Sequence, residues 1–206
     1  MKIGSPKLIA KRSDEIVSAV EKLYQTRSFK DITFKEIADL TTFTRTSIYN
    51  YFQTKEEIFL ALTQLEYERW IADLETVIRA HNTLSKDKVA HHLARSLEKR
   101  TQLLKLITMN LFDMEANSRL EVLTEFKIAY GNSIKTVKKL LTKFCPDMTP
   151  KQISDFLYAL FPFIYGIYPY VFVTDKQKKA MQQAKTGFTY HSVYELAYPC
   201  IKKLLS

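Results

Sequence analysis

Thr44, Arg45, Thr46 and Ser47, followed by Tyr49, Asn50 and Tyr51, are the side chains in this sequence best equipped to contact another molecule. Their hydroxyls can bind phosphate oxygens or base edges, and the Arg45 guanidinium fork matches the two acceptors of guanine. The phenol and amide groups of Tyr49, Asn50 and Tyr51 extend the same repertoire. Lys55 adds a cation where the next helix should begin, a place whose N–H groups and dipole favour phosphate. This is the chemistry of binding a polyanion, and a net charge of +9 (31 Lys plus Arg against 22 Asp plus Glu) permits such a partner.

Those groups need a short helix presented by two others. The stripe Ile16, Val20, Leu23 and Tyr24 predicts an amphipathic helix over 13–27. Thr33 with Glu36 three residues later has capping-box spacing and opens a helix over 34–41. After a three-residue connection comes 45–52, with Ile48 and Phe52 spaced i, i+4 to face the core. Thr54 and Glu57 repeat the capping-box spacing and launch a long helix over 55–80. Three helices so arranged describe a helix-turn-helix, whose last helix enters a major groove by its N-terminal end.

Further helices are expected over 86–99, 101–113, 118–144 (from a Ser118/Glu121 cap pair), 151–173 (after Thr149 and Pro150) and 189–205. The polar, basic stretch 174–185 reads as a loop or short surface helix, and no internal repeat is present. The expected fold is all-α. A helix-turn-helix domain over 1–54 precedes a helical bundle over 55–206, joined by a continuous helix able to pass on movement as a rigid tilt.

Hydrophobic residues at 46% and aromatics at 13% exclude a disordered chain, and four glycines with six prolines exclude collagen-like classes. Two cysteines make no disulfide framework, and residues 1–11 lack the apolar run of a leader, so a cytoplasmic location is expected. Residues 156–173 carry no charge, but at about 1.5 Å per residue they barely match a bilayer. Pro162, Gly166, Pro169 and four tyrosine hydroxyls argue for a kinked helix buried among others, with no membrane partner. The alternative is a helical adaptor or membrane-associated protein using that run. The sequence holds no H-E-x-x-H, C-x-x-C, G-x-S-x-G or phosphate-cradling glycine loop. Adjacent His91 and His92 diverge by roughly 100° on a helix. No enzyme, metal site or cofactor is expected.

Ser28-Phe29-Lys-Asp-Ile-Thr33-Phe-Lys-Glu-Ile37-Ala38, Phe43-Thr44-Arg45-Thr46-Ser47-Ile48-Tyr49-Asn50-Tyr51-Phe52 and Lys55-Glu56-Glu57 together resemble the DNA-binding segment of the TetR family of transcriptional regulators. The resemblance implies a homodimer on a near-palindromic double-stranded operator, usually a repressor released by a small ligand. It also implies roles. Thr33 caps the second helix and touches phosphate; Thr44, Arg45, Thr46 and Ser47 meet the operator; Tyr49 and Tyr51 are aromatic phosphate contacts, and Lys55 is the usual lysine. Asn50 stands at a variable position. Read from the residues alone, the alternatives are that Thr33 and Thr44 are plain caps, Tyr49 a packing residue and Arg45 a phosphate clamp. The family's common turn glycine is Thr42 here, and Ser28 replaces the glycine after the first helix, both expected to cost backbone strain.

Eight of the residues between Phe156 and Phe172 are aromatic. They read either as core and dimer interface or, with the helix kinked at Pro162 and Gly166, as walls of a cavity. Trp70, Phe112, Phe126, Tyr130, Phe161, Tyr165 and Tyr168 are the candidate lining, suited to a hydrophobic or aromatic effector. By resemblance, the last two long helices of each subunit pack into an intermolecular four-helix bundle.

Overall fold

The computed structural model describes residues 6–109 and 111–206, so the first five residues of the expected 1–54 domain lie outside it. Every described element is a helix: α1 Pro6–Thr26, α2 Phe34–Asp39, α3 Arg45–Ile48, α4 Lys55–Ala80, α5 Lys86–Lys99, α6 Thr101–Thr108, α7 Leu111–Ala116, α8 Leu120–Phe144, α9 Pro150–Val171, α10 Asp175–Gln183 and α11 Val193–Leu204. The chain forms two compact units, Met1–Glu66 with Asn110–Tyr130 and Tyr67–Met109 with Gly131–Ser206; α4 and α8 each contribute to both.

In the first unit α1 turns Ile16, Val20 and Tyr24 inward, against Ile32, Ile37, Ile48, Phe52 and Phe59. The Tyr24 and Phe29 rings meet Phe59 edge-on at 5.1 and 4.8 Å. Each fully buried isoleucine contributes roughly 1.5–3 kcal/mol, which holds the two short helices α2 and α3 in place against α1. Helix α1 starts earlier than expected, because nothing between Pro6 and Ser13 breaks a helix; Ser13 is interior, not a cap.

In the second unit α5 packs on α11, and α9 on α6 and α11. Trp70 is fully buried, its Nε1–H donates to Ser96 Oγ at 2.9 Å, and its ring lies 6.1 Å from Phe161. The Tyr67 and Tyr165 hydroxyls share a hydrogen bond at 3.2 Å, and Thr108 Oγ1 donates to the Tyr165 carbonyl at 3.0 Å. Lys143 Nζ donates to the Ile78 carbonyl in the last turn of α4, and Lys139 pairs with Glu75. These two lysines of α8 are thus tied to α4.

Several helix ends differ from the sequence expectation, each for a local reason. The expected 101–113 helix is two, α6 and α7, with Met109 extended (φ −62°, ψ 166°) after the first. Ser118 does not cap α8; its hydroxyl donates to the Met114 carbonyl behind it, and the helix begins at Leu120. The 174–185 stretch is α10, with Thr174 and Gln177 in a capping box. Helix α11 starts at Val193, since Ser192 and Glu195 supply the box that Thr189 cannot. Helix α9 runs unbroken through Pro162 and Pro169. Among the described residues no single helix is long and apolar enough to cross a membrane; α9 and α10 reach that threshold only together, bent by 85°.

Candidate nucleic-acid interface

Thr33 Oγ1 accepts the Glu36 N–H at 3.3 Å and donates to Glu36 Oε2, which also takes the Thr33 N–H at 2.9 Å, completing the capping box of α2. Arg27 bonds the same Glu36 carboxylate through Nη1 and the Asp31 carbonyl through Nη2. With Arg27 first and Thr33 second, these bonds hold Glu36 below the usual carboxylate range. The 28–33 loop is thus tied down before α2 begins.

Thr44 caps α3, its Oγ1 accepting the Ser47 N–H at 3.2 Å and sharing a hydroxyl bond with Ser47 Oγ at 2.8 Å. The helix is four residues long rather than the expected eight. Beyond it the chain tightens through Asn50 N–H to Ser47 C=O and Tyr51 N–H to Ile48 C=O, i→i+3 bonds of 3₁₀ type. Ile48 and Phe52 still point into the core, at 0% and 5% exposed. That leaves Arg45, Thr46 and Asn50 exposed, their side chains making no hydrogen bond to any described residue. Tyr49 stacks on Phe34 with ring centroids 4.7 Å apart while remaining 42% exposed. It serves as packing residue and outward phenol at once.

Residues outside the recognised motif complete the face. Arg12 on α1 donates to the Tyr51 hydroxyl at 3.1 Å, and its guanidinium lies 5.8 Å from the Phe43 ring centre. Glu15 accepts the Thr42 N–H at 2.6 Å. Neither Thr42 nor Ser28 is strained, for Lys185 is the one described non-glycine residue with positive φ. The turn is held by the α1 carboxylate and needs no glycine conformation. A depression of about 610 Å³ beside α3 is lined by Lys30, Thr33, Lys35, Arg45 and Lys55 among others, a concentration of positive charge.

Lys55 is less free than expected. Its ammonium donates to the Phe29 and Ile32 carbonyls at 2.6 and 2.9 Å and sits 4.2 Å over the Phe29 ring. Burial pushes its pKa down, although Glu56, Asp31 and Glu36 pull the other way. Glu57 also departs from expectation. Its N–H bonds Thr54 Oγ1 as a cap requires, but its carboxylate takes the Gln53 N–H and Arg119 instead of closing the box on Thr54.

The candidate effector residues are divided. Trp70, Phe161, Tyr165 and Tyr168 belong to the second unit; Phe112, Phe126 and Tyr130 belong to the first. Trp70 and Phe161 are packed together, whereas Phe112 is 82% exposed. Burial raises the Tyr168 phenol pKa, and its ring stacks on Phe172 at 4.5 Å. His81 and His92 rings lie 5.2 Å apart, half-buried, and no described group of His, Cys, Asp or Glu is arranged to hold a metal ion.

A short helix presenting unengaged Arg, Thr and Asn side chains beside a basic depression defines a helix-turn-helix DNA-binding protein. Residues 16–62 match the bacterial regulatory proteins of the tetR family, and residues 64–190 match the tetracyclin repressor-like C-terminal domain. The chain belongs to the TetR family of transcriptional regulators. Among solved structures it resembles a TetR/AcrR-family regulator from Thermobifida fusca (TM-score 0.63, 16% identity, 95% of this chain and 97% of that one). It also resembles FadR from Bacillus subtilis, solved with stearoyl-CoA (0.59, 16%, 94% and 97%), and the fatty acid degradation regulator FadR of Bacillus halodurans (0.57, 15%, 100% and 97%). At these identities the likeness is one of fold. No curated protein sequence matches the chain significantly.

Proposed function

We propose that this regulator is a cytoplasmic repressor that binds a near-palindromic operator as a homodimer and is released by a small hydrophobic or aromatic effector. Residues 1–54 read DNA, and 55–206 sense the ligand and pair the subunits. The observation that carries the reading is the exposed end of α3, where the side chains of Arg45, Thr46 and Asn50 hydrogen-bond to no described residue. Thr33, Thr44, Ser47, Tyr49 and Tyr51 flank them as phosphate contacts. Pairing is supported by the apolar side chains left uncovered on α9 and just after it: Tyr158 at 81%, Tyr170 at 59% and Phe172 at 43% exposed. Two half-sites about 34–36 Å apart can be read together only by subunits held at a matching separation. A ligand that prefers a different separation therefore releases the operator. FadR of Bacillus subtilis was solved with stearoyl-CoA, which makes long-chain acyl compounds the first effectors to try.

Selection of genomic fragments by the purified protein should recover an operator bound more tightly than random duplex, with sedimentation giving a dimer. Arg45→Ala should weaken that binding roughly 5- to 150-fold, the range of about 1–3 kcal/mol for a bidentate base contact. Tyr165→Ala should leave operator affinity intact and change only the response to effector. A monomer, or a protein with no preferred fragment, would sink the reading.

A further inference from the structure

Arg119 stands at the start of α8, far from the reading head in sequence, yet makes four hydrogen bonds into it. Its N–H and Nε donate to Glu57 Oε1 at 3.0 and 2.7 Å. Its Nη2 donates to Glu57 Oε2 at 2.8 Å and to the Tyr51 carbonyl at 3.0 Å. Glu57 is 0% exposed and spends its remaining capacity on the Gln53 N–H at 2.7 Å. Next to this pair Thr54 Oγ1 donates to the Asn117 carbonyl at 3.1 Å. The turn before α8 is thereby fastened to residues 51–54, the exit of the recognition element.

A four-residue helix cannot hold its own direction, because so short a segment barely repays nucleation. Its orientation is set by what pins its two ends. Thr44 pins the entrance from within; the exit is pinned from outside. We propose that Arg119 is a positioning residue for operator recognition, fixing the 51–53 turn through Glu57 and so setting the direction in which Arg45, Tyr49 and Asn50 face. The inference rests on the operator-binding reading. The forked pairing of Nε and Nη2 onto the two oxygens of one carboxylate gives directional restraint that a single ammonium could not. Since an unpaired buried carboxylate is costly, the start of α8 and the turn move together or not at all. Helix α8 continues to Phe144 in the second unit, so whatever displaces its first turn displaces the reading head.

The test uses the full-length dimer with Arg119→Leu, Arg119→Lys and the double variant Glu57→Leu/Arg119→Leu. The double variant removes both charges, keeps apolar volume and so retains a fold that the single leucine substitution threatens. Operator affinity should fall at least tenfold in the double variant at unchanged thermal stability, with Arg119→Lys recovering part of it. The salt dependence should keep its wild-type slope. Hydrogen exchange of peptides covering 45–53 should quicken in the leucine variants without any DNA present. Wild-type operator affinity and exchange in the double variant would overturn the proposal, as would a salt slope shallower by about one unit per subunit, the mark of a direct phosphate contact. Wild-type failure to select an operator sinks the regulator reading instead, and the exchange result then judges the clamp by itself.

Discussion

Lys55→Met separates two uses of one ammonium group. The resemblance makes Lys55 a phosphate contact, while the structure has it donating to two carbonyls of the loop before α2 and covering the Phe29 ring. Hydrogen bonds from a charged donor contribute roughly 1.5–3 kcal/mol each, and a surface cation–π contact about 0.5–1. The site is half-buried, so water replaces part of what is lost and methionine keeps the apolar stem. The expected cost is therefore about 2 kcal/mol, a factor of roughly 30 in the folding constant. With urea m-values of about 1–3 kcal/mol/M, the midpoint should drop by roughly 1 M, read by circular dichroism. A phosphate contact contributes about 0.9 to the slope of log affinity against log salt, hence about 1.8 for the proposed dimer. Operator binding by fluorescence anisotropy between roughly 50 and 200 mM salt, the range over which such slopes show clearly, should give the wild-type slope. A slope shallower by about 1.8 with an unmoved urea midpoint would show that Lys55 serves the DNA and not the loop.

Two further outcomes follow from buried polar groups. Burial alone would raise the pKa of Glu57, but the side-chain bonds from Arg119 and the N–H groups of Gln53 and Arg119 outweigh it and hold the carboxyl below its usual range. The stability this supplies is complete above the unfolded value of about 4.3 and is lost as pH falls through the lower folded value. Glu57→Leu/Arg119→Leu should accordingly show a flatter fall in stability below about pH 4.3, by up to one proton or about 1.4 kcal/mol per pH unit; an acid limb unchanged from wild type in urea titrations at several pH values would contradict this. Ser96→Ala leaves the Trp70 N–H buried without its acceptor and should cost about 1–3 kcal/mol, and a urea midpoint within error of wild type would mean that the indole finds another partner.

What could be read from the sequence was what neighbouring residues decide among themselves. The Thr33/Glu36 box needs only three-residue spacing and forms, and α9 begins at Pro150 behind the Thr149 cap as expected. The motif from Phe43 to Phe52 placed Ile48 and Phe52 inward and Arg45 outward, as periodicity and resemblance require. Long-range partners defeated the same rules elsewhere. Glu57 has capping-box spacing, but its carboxylate is claimed by Arg119, a residue no local pattern could have nominated. Ser118 was equally plausible as a cap until its hydroxyl found the carbonyl of Met114. Thr42 looked strained for want of the family's glycine, because the carboxylate that holds its N–H, Glu15, belongs to α1 and left no mark in the turn itself.

Trp70 is the chain's single tryptophan, and it is sealed inside the second unit with Phe161 and Ser96 around it. Indole emission from this protein is consequently a report on one half of the molecule. A denaturation followed by emission and one followed by ellipticity should therefore separate if the two units unfold at different urea concentrations. The native chain thus carries a built-in label for its second unit.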